Sequence, residues 1–203
     1  MTVTIQTRRD TAANWTSANP TLAVGELGLE TDTQQFKVGD GSTAWASLVY
    51  WISPMGCVII KDVKNSGVGG GTFTSGAWRT RTLNTTDLNT IGGGYSLSSN
   101  QFTLPAGAYI CEASAPVYRV DNHKARLRNV TDGTDTIIGQ THYADATSLV
   151  HNVALLIGSF TIASPKTFEL QHRCNTTSAT HGFGNSTGYG VSEIFTQVKL
   201  WKI

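Results

Sequence analysis

The sequence predicts an all-β protein, a β-sandwich preceded by a small module of its own. Three observations carry this. From Cys57 onward, short strand candidates are separated by turn signals, which is the pattern of a sandwich or barrel. Gly, Thr, Ser and Asn are plentiful while only 14% of residues are charged, a mixture that suits strands joined by turns. The aromatic pair Tyr50-Trp51 is followed by the break Ile52-Ser53-Pro54-Met55-Gly56, which divides the 203 residues into segments 1–52 and 57–203.

In the first segment, Asp10 or Thr11 caps a short helix over Thr11–Ser17, which ends before Pro20. Glu26–Glu30 alternates Leu27 and Leu29 with polar neighbours. Gln35–Val38 returns after Thr31-Asp32-Thr33, completing a hairpin. Gly39-Asp40-Gly41 tolerates positive φ and leads into Trp45, Leu48, Tyr50 and Trp51. About fifty residues with a single hairpin are too few to bury such rings internally, so oligomerisation is expected, with Trp45 and Trp51 at the subunit interface. Asp32 and Asp40 read as turn residues, since EF-hand spacing is absent, and no Gly-Lys-Ser/Thr follows the Gly-Asp-Gly.

The strands of the second segment are of two kinds. Thr167–Cys174 puts Phe168, Leu170, His172 and Cys174 on one face and Glu169, Gln171 and Arg173 on the other. His123–Val130 sets Ala125 and Leu127 against Lys124, Arg126 and Arg128. Such strands have one face in a core and one in water. Val153–Phe160, by contrast, carries no charge, and Ala108–Val120 has only Glu112 before Arg119. A strand apolar on both sides is buried on both sides. With no long helix candidate to cover the outer side, another copy of the chain is expected there, over Tyr109, Leu156 and Phe160.

Two resemblances fit this layout. RRDTAANWT, GELGLETDT, FKVGDGSTAW and LVYW, in that order between Arg8 and Trp51, resemble the N-terminal module of bacteriophage tail-fibre and receptor-binding proteins of the major tropism determinant type. That resemblance implies an intertwined trimeric, β-prism-like module that joins other virion proteins. GGGTFTSGAWRTRTLN (69–84), SSNQFTLPAGAYICEASAP (98–116), FELQHRC (168–174) and VKLWKI (198–203) resemble a domain recurring at the C-termini of phage tail-fibre-type proteins, and more loosely the trimeric C1q/TNF-like jelly roll. Together they imply a homotrimeric virion protein, made in the host cytoplasm.

If successive strands run antiparallel, Asp121-Asn122, Tyr143–Leu149 and Asn175–Gly190 cluster at the sandwich end away from the first segment. Asp121, Asn122, Tyr143, Asp145, His181, Phe183 and Tyr189 are therefore the candidate receptor-binding residues, facing a host surface glycan or protein. The competing reading has Phe183 and Tyr189 tucked under the long loop as its own small core.

Other functions find little support. The 15 Lys+Arg against 14 Asp+Glu leave no electrostatic footprint for nucleic acid or anionic lipid. No apolar run reaches membrane-spanning length and no leader is legible, so neither membrane insertion nor ordinary secretion is expected. Cys57, Cys111 and Cys174 lack metal spacing and read as small buried thiols. The five histidines form no zinc motif, and His172 reads as a hydrogen-bonded core residue. No cofactor, metal or catalytic residue is assigned. Glu112, Glu169 and Glu193 are the carboxylates that a polysaccharide depolymerase would need. That enzyme ranks third, behind a tail-fibre or receptor-binding subunit and a capsid decoration or head-fibre protein.

Overall fold

The computed structural model describes residues 7–51 and 55–203, so the predicted break at Ile52-Ser53-Pro54 lies outside the described residues. The chain divides into two compact units, Met1–Pro54 and Met55–Ile203.

In the first unit, β1 (Arg8–Asp10) is followed by α1 (Ala12–Ala18), β2 (Leu27–Glu30), β3 (Phe36–Val38) and a 3-10 turn over Trp45–Ser47. Thr11 caps α1 by accepting from the Asn14 amide at 3.3 Å, and Asn19 ends it in the left-handed region, within a residue of the predicted bounds. Strand β2 pairs in parallel with β1 and antiparallel with β3, the expected hairpin. The aromatic expectation needs correcting. Trp15 and Trp45 stack at 4.1 Å with Leu22 and Leu48 around them, and the Trp15 indole donates to the Leu29 carbonyl at 3.0 Å. Buried Lys37 donates to the Trp45 carbonyl at 2.8 Å, its ammonium 4.9 Å from that ring. Trp45 therefore belongs to the unit's own core; face-to-face packing of two indoles supplies enough apolar contact for a small fold to bury them itself. Trp51 remains open, 65% exposed.

The second unit begins with β4 (Gly56–Lys64), followed by the short β5 (Arg79–Thr80), β6 (Thr85–Asn89) and the β7 (Ser96–Ser98)/β8 (Gln101–Leu104) hairpin. The long strands are β9 (Gly107–Tyr118), β10 (Asp121–Asn129), β11 (Thr134–Ala144), β12 (His151–Ile162), β13 (Lys166–Cys174) and β14 (Glu193–Lys202). One sheet runs β12-β9-β14-β4-β6 and the other β11-β10-β13-β8-β7, with β5 on β13. Strands that are consecutive in the chain cross from sheet to sheet, except for hairpins such as β10–β11. This is the jelly-roll arrangement of two Greek keys. The core lies between the sheets, where Tyr109, Cys111, Leu127, Leu156, Phe168 and Leu200 are among the buried members.

The alternating strands turn the expected set inward, since Phe168, Leu170, His172, Cys174, Ala125 and Leu127 are all buried. But Glu169 of the outer set is buried as well, its carboxylate covered by bonds from Gln101 and Gln171. For the apolar strands the phase needs correcting. Leu156 and Tyr109 point into the chain's own core, and Phe160 packs against it, stacked 5.4 Å from Tyr109. The outward set is the other one: Ile110, Val153, Leu155 and Ile157. When both faces of a strand are apolar, composition cannot fix which is inner, and a one-residue offset moves every side chain to the other face. Of the thiols, Cys111 and Cys174 are buried but Cys57 is half-exposed. No helix among the described residues is long and apolar enough to cross a membrane.

Candidate functional site

Register places the candidate residues. β4 and β9 run toward one end of the sandwich and β14 runs back antiparallel to both. Tyr118 pairs with His151, Asp121 with Ala144 and His123 with Cys174. The β9–β10, β11–β12 and β13–β14 connections therefore meet at the same end. Asp121 ties them together. It accepts from the Ala146 amide at 2.9 Å and from the Thr176 hydroxyl, while the Asn175 amide donates to the Asn122 carbonyl at 3.0 Å. The Thr176 and Ala146 hydrogen bonds hold the Asp121 carboxyl below its usual range. Asp145 is similarly occupied with its own turn, accepting from Thr147 and Ser148.

A fourth segment, residues 65–78, joins this end. The Gly70 amide donates to the Gly184 carbonyl at 2.8 Å, Phe73 bridges Ser178, and a Cβ at Gly70 would lie 2.6 Å from the Phe183 backbone. The Gly69-Gly70-Gly71 run is the signal for this close approach, and the strand–turn reading passed over it. Phe183 is turned inward, stacked 4.4 Å from buried Phe73 with the Arg81 guanidinium 4.2 Å from its ring. It is a packing residue, because a long loop needs a core of its own. Tyr189 is the opposite case at 82% exposure, and Tyr143 is also exposed. His181 is half-buried against Gly69.

Beneath the loops, Arg81 is fully buried. It donates to the Thr196 hydroxyl (2.7 Å), the Pro116 carbonyl (3.1 Å) and the Phe183 carbonyl (2.9 Å), so one side chain connects β14, β9 and the long loop. Burial lowers its pKa to about 9, opposed by Asp62, and it stays charged at neutral pH. Beside it, His142, His123 and His172 stand on β11, β10 and β13. Ring centroids are 5.6 Å apart for the first pair and 5.2 Å for the second, and His123 Nδ1 lies 3.1 Å from His172 Nε2. Burial, with His142 and Arg81 adding to it, holds His123 near 4. Burial, then Arg81 and the other two histidines, holds His172 well below its usual value. No group of three or more His, Cys, Asp or Glu among the described residues is placed to hold a metal ion.

Glu193, at the start of β14, accepts from the amides of Gly188 (2.8 Å), Gly67 (3.1 Å) and Thr187 (3.1 Å), which hold its carboxyl near 2. Glu169 lies in the other sheet, bonded by Gln101 and Gln171. Glu112 sits in register with Lys199 on the outward face of β9. These three carboxylates form no pair around a common cleft.

The outward face of the β12-β9-β14-β4 sheet has Val153, Leu155 and Ile157 along its β12 edge. A row reading Ile157, Glu112, Lys199 and Ile59 crosses all four strands. Ile157 is 67% exposed and Ile110, Val153 and Leu155 each about two-fifths.

By strand order, the second unit is a jelly-roll domain. The first unit belongs to another class: residues 5–43 match the major tropism determinant N-terminal domain. Among solved structures, murine APRIL at pH 5.0 is similar at 9% identity and a TM-score of 0.46, covering 74% of this chain and 100% of its own. The globular domain of zebrafish complement 1qA is similar at 10% identity and a TM-score of 0.47, covering 74% and 98%. A search of curated proteins gave no match.

Proposed function

We propose that the protein is a homotrimeric attachment subunit of a bacteriophage virion, a tail-fibre or receptor-binding protein that holds its host by adhesion and performs no reaction. The tropism-type domain at residues 5–43 supports the virion assignment. The observation that carries the trimer is the apolar stripe Ile110, Val153, Leu155 and Ile157, left in water by a lone copy. Contiguous exposed apolar side chains of this kind mark interaction surfaces, and closed symmetry lets identical copies cover them. Trp51 is the corresponding open ring of the first unit, the part that joins other virion proteins.

Three identical loop ends give avidity, so weak contacts at each suffice. Asn122, Tyr143, His181 and Tyr189 face the host glycan or protein, while Asp121, Asp145 and Phe183 hold the loops in place. No cofactor, metal, nucleic acid or membrane insertion is involved. A second reading, capsid decoration or head fibre, draws on the short stretch between Trp51 and β4, which leaves no room for a shaft.

Sedimentation of the purified chain, together with gold labelling of it on intact particles, tests both. We expect a mass three times the 21.7 kDa chain and label on the tail. A monomer at micromolar concentration removes the trimer, and label on the head selects the decoration reading.

A further inference from the structure

Arg119 ends β9 with φ at 57°, a left-handed conformation that costs a long side chain but not glycine. Asp121 shares it at 57°, and Thr180 lies at 65° across the loops. Backbone held in such regions concentrates where a side chain has work to do. Arg119 walls a hollow of about 410 Å³ at the loop end, together with Tyr118, Thr176, Thr177, Ser178 and His181.

The Arg119 guanidinium is anchored by its Nε–H, which donates to the Ala146 carbonyl at 2.9 Å. It makes no ion pair among the described residues, and its two terminal nitrogens find no acceptor there. Asp121, the neighbouring acid, is already committed to Ala146 and Thr176. The Tyr118 ring is steadied by His151 at 4.6 Å. A fixed cation with spare donors, an aromatic face and the Ser178 hydroxyl thus share one concavity.

We infer that this hollow is a subsite for a carboxylated saccharide. Arg119 takes the carboxylate in a charge-assisted, forked pair, Tyr118 lies against the apolar face of the sugar ring, and the Ser178 hydroxyl meets a ring hydroxyl, while the Thr177 hydroxyl is held by Ser75. This rests on the attachment reading and sharpens it, moving the site from the Tyr189 rim to the hollow beside the apolar stripe.

The test is titration calorimetry on the purified full-length chain. The probes are oligogalacturonate, alginate-derived and sialylated oligosaccharides, each paired with its carboxyl-reduced counterpart. We expect binding of at least one acidic probe and loss of that binding on carboxyl reduction. Arg119→Gly suits the backbone at this φ, so its thermal midpoint should hold or rise while affinity falls about tenfold or more, the effect of losing a hydrogen bond to a charged group. Ala179→Trp, built from the exposed rim of the hollow, should block the site with Arg119 intact. Equal affinity for acidic and reduced sugars, binding indifferent to Arg119→Gly, or no binding of any acidic probe overturns the subsite. Competition of phage adsorption by the same preparations separates the two ideas. If wild type and Arg119→Gly both block adsorption, attachment stands and the subsite fails. If wild type binds sugar through Arg119 yet blocks nothing, the subsite stands and attachment fails.

Discussion

The two sheets of the sandwich share a core and an alternation, yet they turn different chemistry outward. On β10, β11 and β13 the outer side chains include Lys124, Arg126, Arg128, Gln171 and Asp135. Arg126 and Arg128 both reach Asp135 at 2.7 Å, and the Arg126 guanidinium lies 4.1 Å from the Trp78 ring. On β9 and β12 the outward positions include Ile110, Val153, Leu155 and Ile157, with Glu112 the charge among them. Folding the chain requires only the inner faces, so the difference between the outer ones reports what each meets afterwards: water in one case and, on our reading, other copies in the other.

The sharpest way to break this comparison uses two adjacent residues. Leu156→Ala empties a core position and should cost about 2–5 kcal/mol of folding stability, measured by denaturant unfolding. Ile157→Asp, one residue on, should leave a folded chain with native circular dichroism but sediment as a monomer, because it sets a charge in the proposed interface. If Ile157→Asp stays trimeric, that face is not where copies meet.

Acid should act next most strongly, and on the solvated sheet. His123 and His172 are neutral when folded, with pKa values pulled below the usual 6.5 by burial and by Arg81. The unfolded chain therefore binds protons that the folded chain refuses. Their stabilisation is present above pH 6.5 and is lost as pH falls below it, by about 1.4 kcal/mol per pH unit for each proton that the unfolded chain binds and the folded chain refuses. Thermal midpoints measured from pH 7 to 4 should show this slope, and His172→Gln should flatten it. A wild-type profile flat over that range would mean that the ring ladder carries no proton linkage.

The smallest effect is expected at the surface. Asp135→Asn removes both exposed ion pairs of the solvated face and should cost no more than about 1 kcal/mol by denaturant unfolding. A larger loss would show that this face is less fully wetted than its composition implies.

Much of this was legible in the residues. Period-two alternation in Thr167–Cys174 named the right inner face, and chain direction alone brought the three loops to one end. The phase of Val153–Phe160 was not legible, because alternation carries no information when both sets of side chains are apolar. The inward turn of Phe183 was legible as one of two readings but not decided, because it depends on Phe73 and Arg81, each roughly a hundred residues distant in the chain. Arg119 escaped notice for a similar reason. Its interest lies in a backbone angle and in terminal nitrogens with no acceptor among the described residues, and neither is written in residue type.

The Glu193 clamp has one more consequence. Its carboxylate grips main-chain amides of Gly67, Thr187 and Gly188, groups that nearly every residue type supplies. Exposed neighbours such as Asn185, Tyr189 and Val191 can then be exchanged with little penalty to folding. On the attachment reading, a lineage confronted with a changed host coat can rewrite those letters one by one, keeping the frame that displays them.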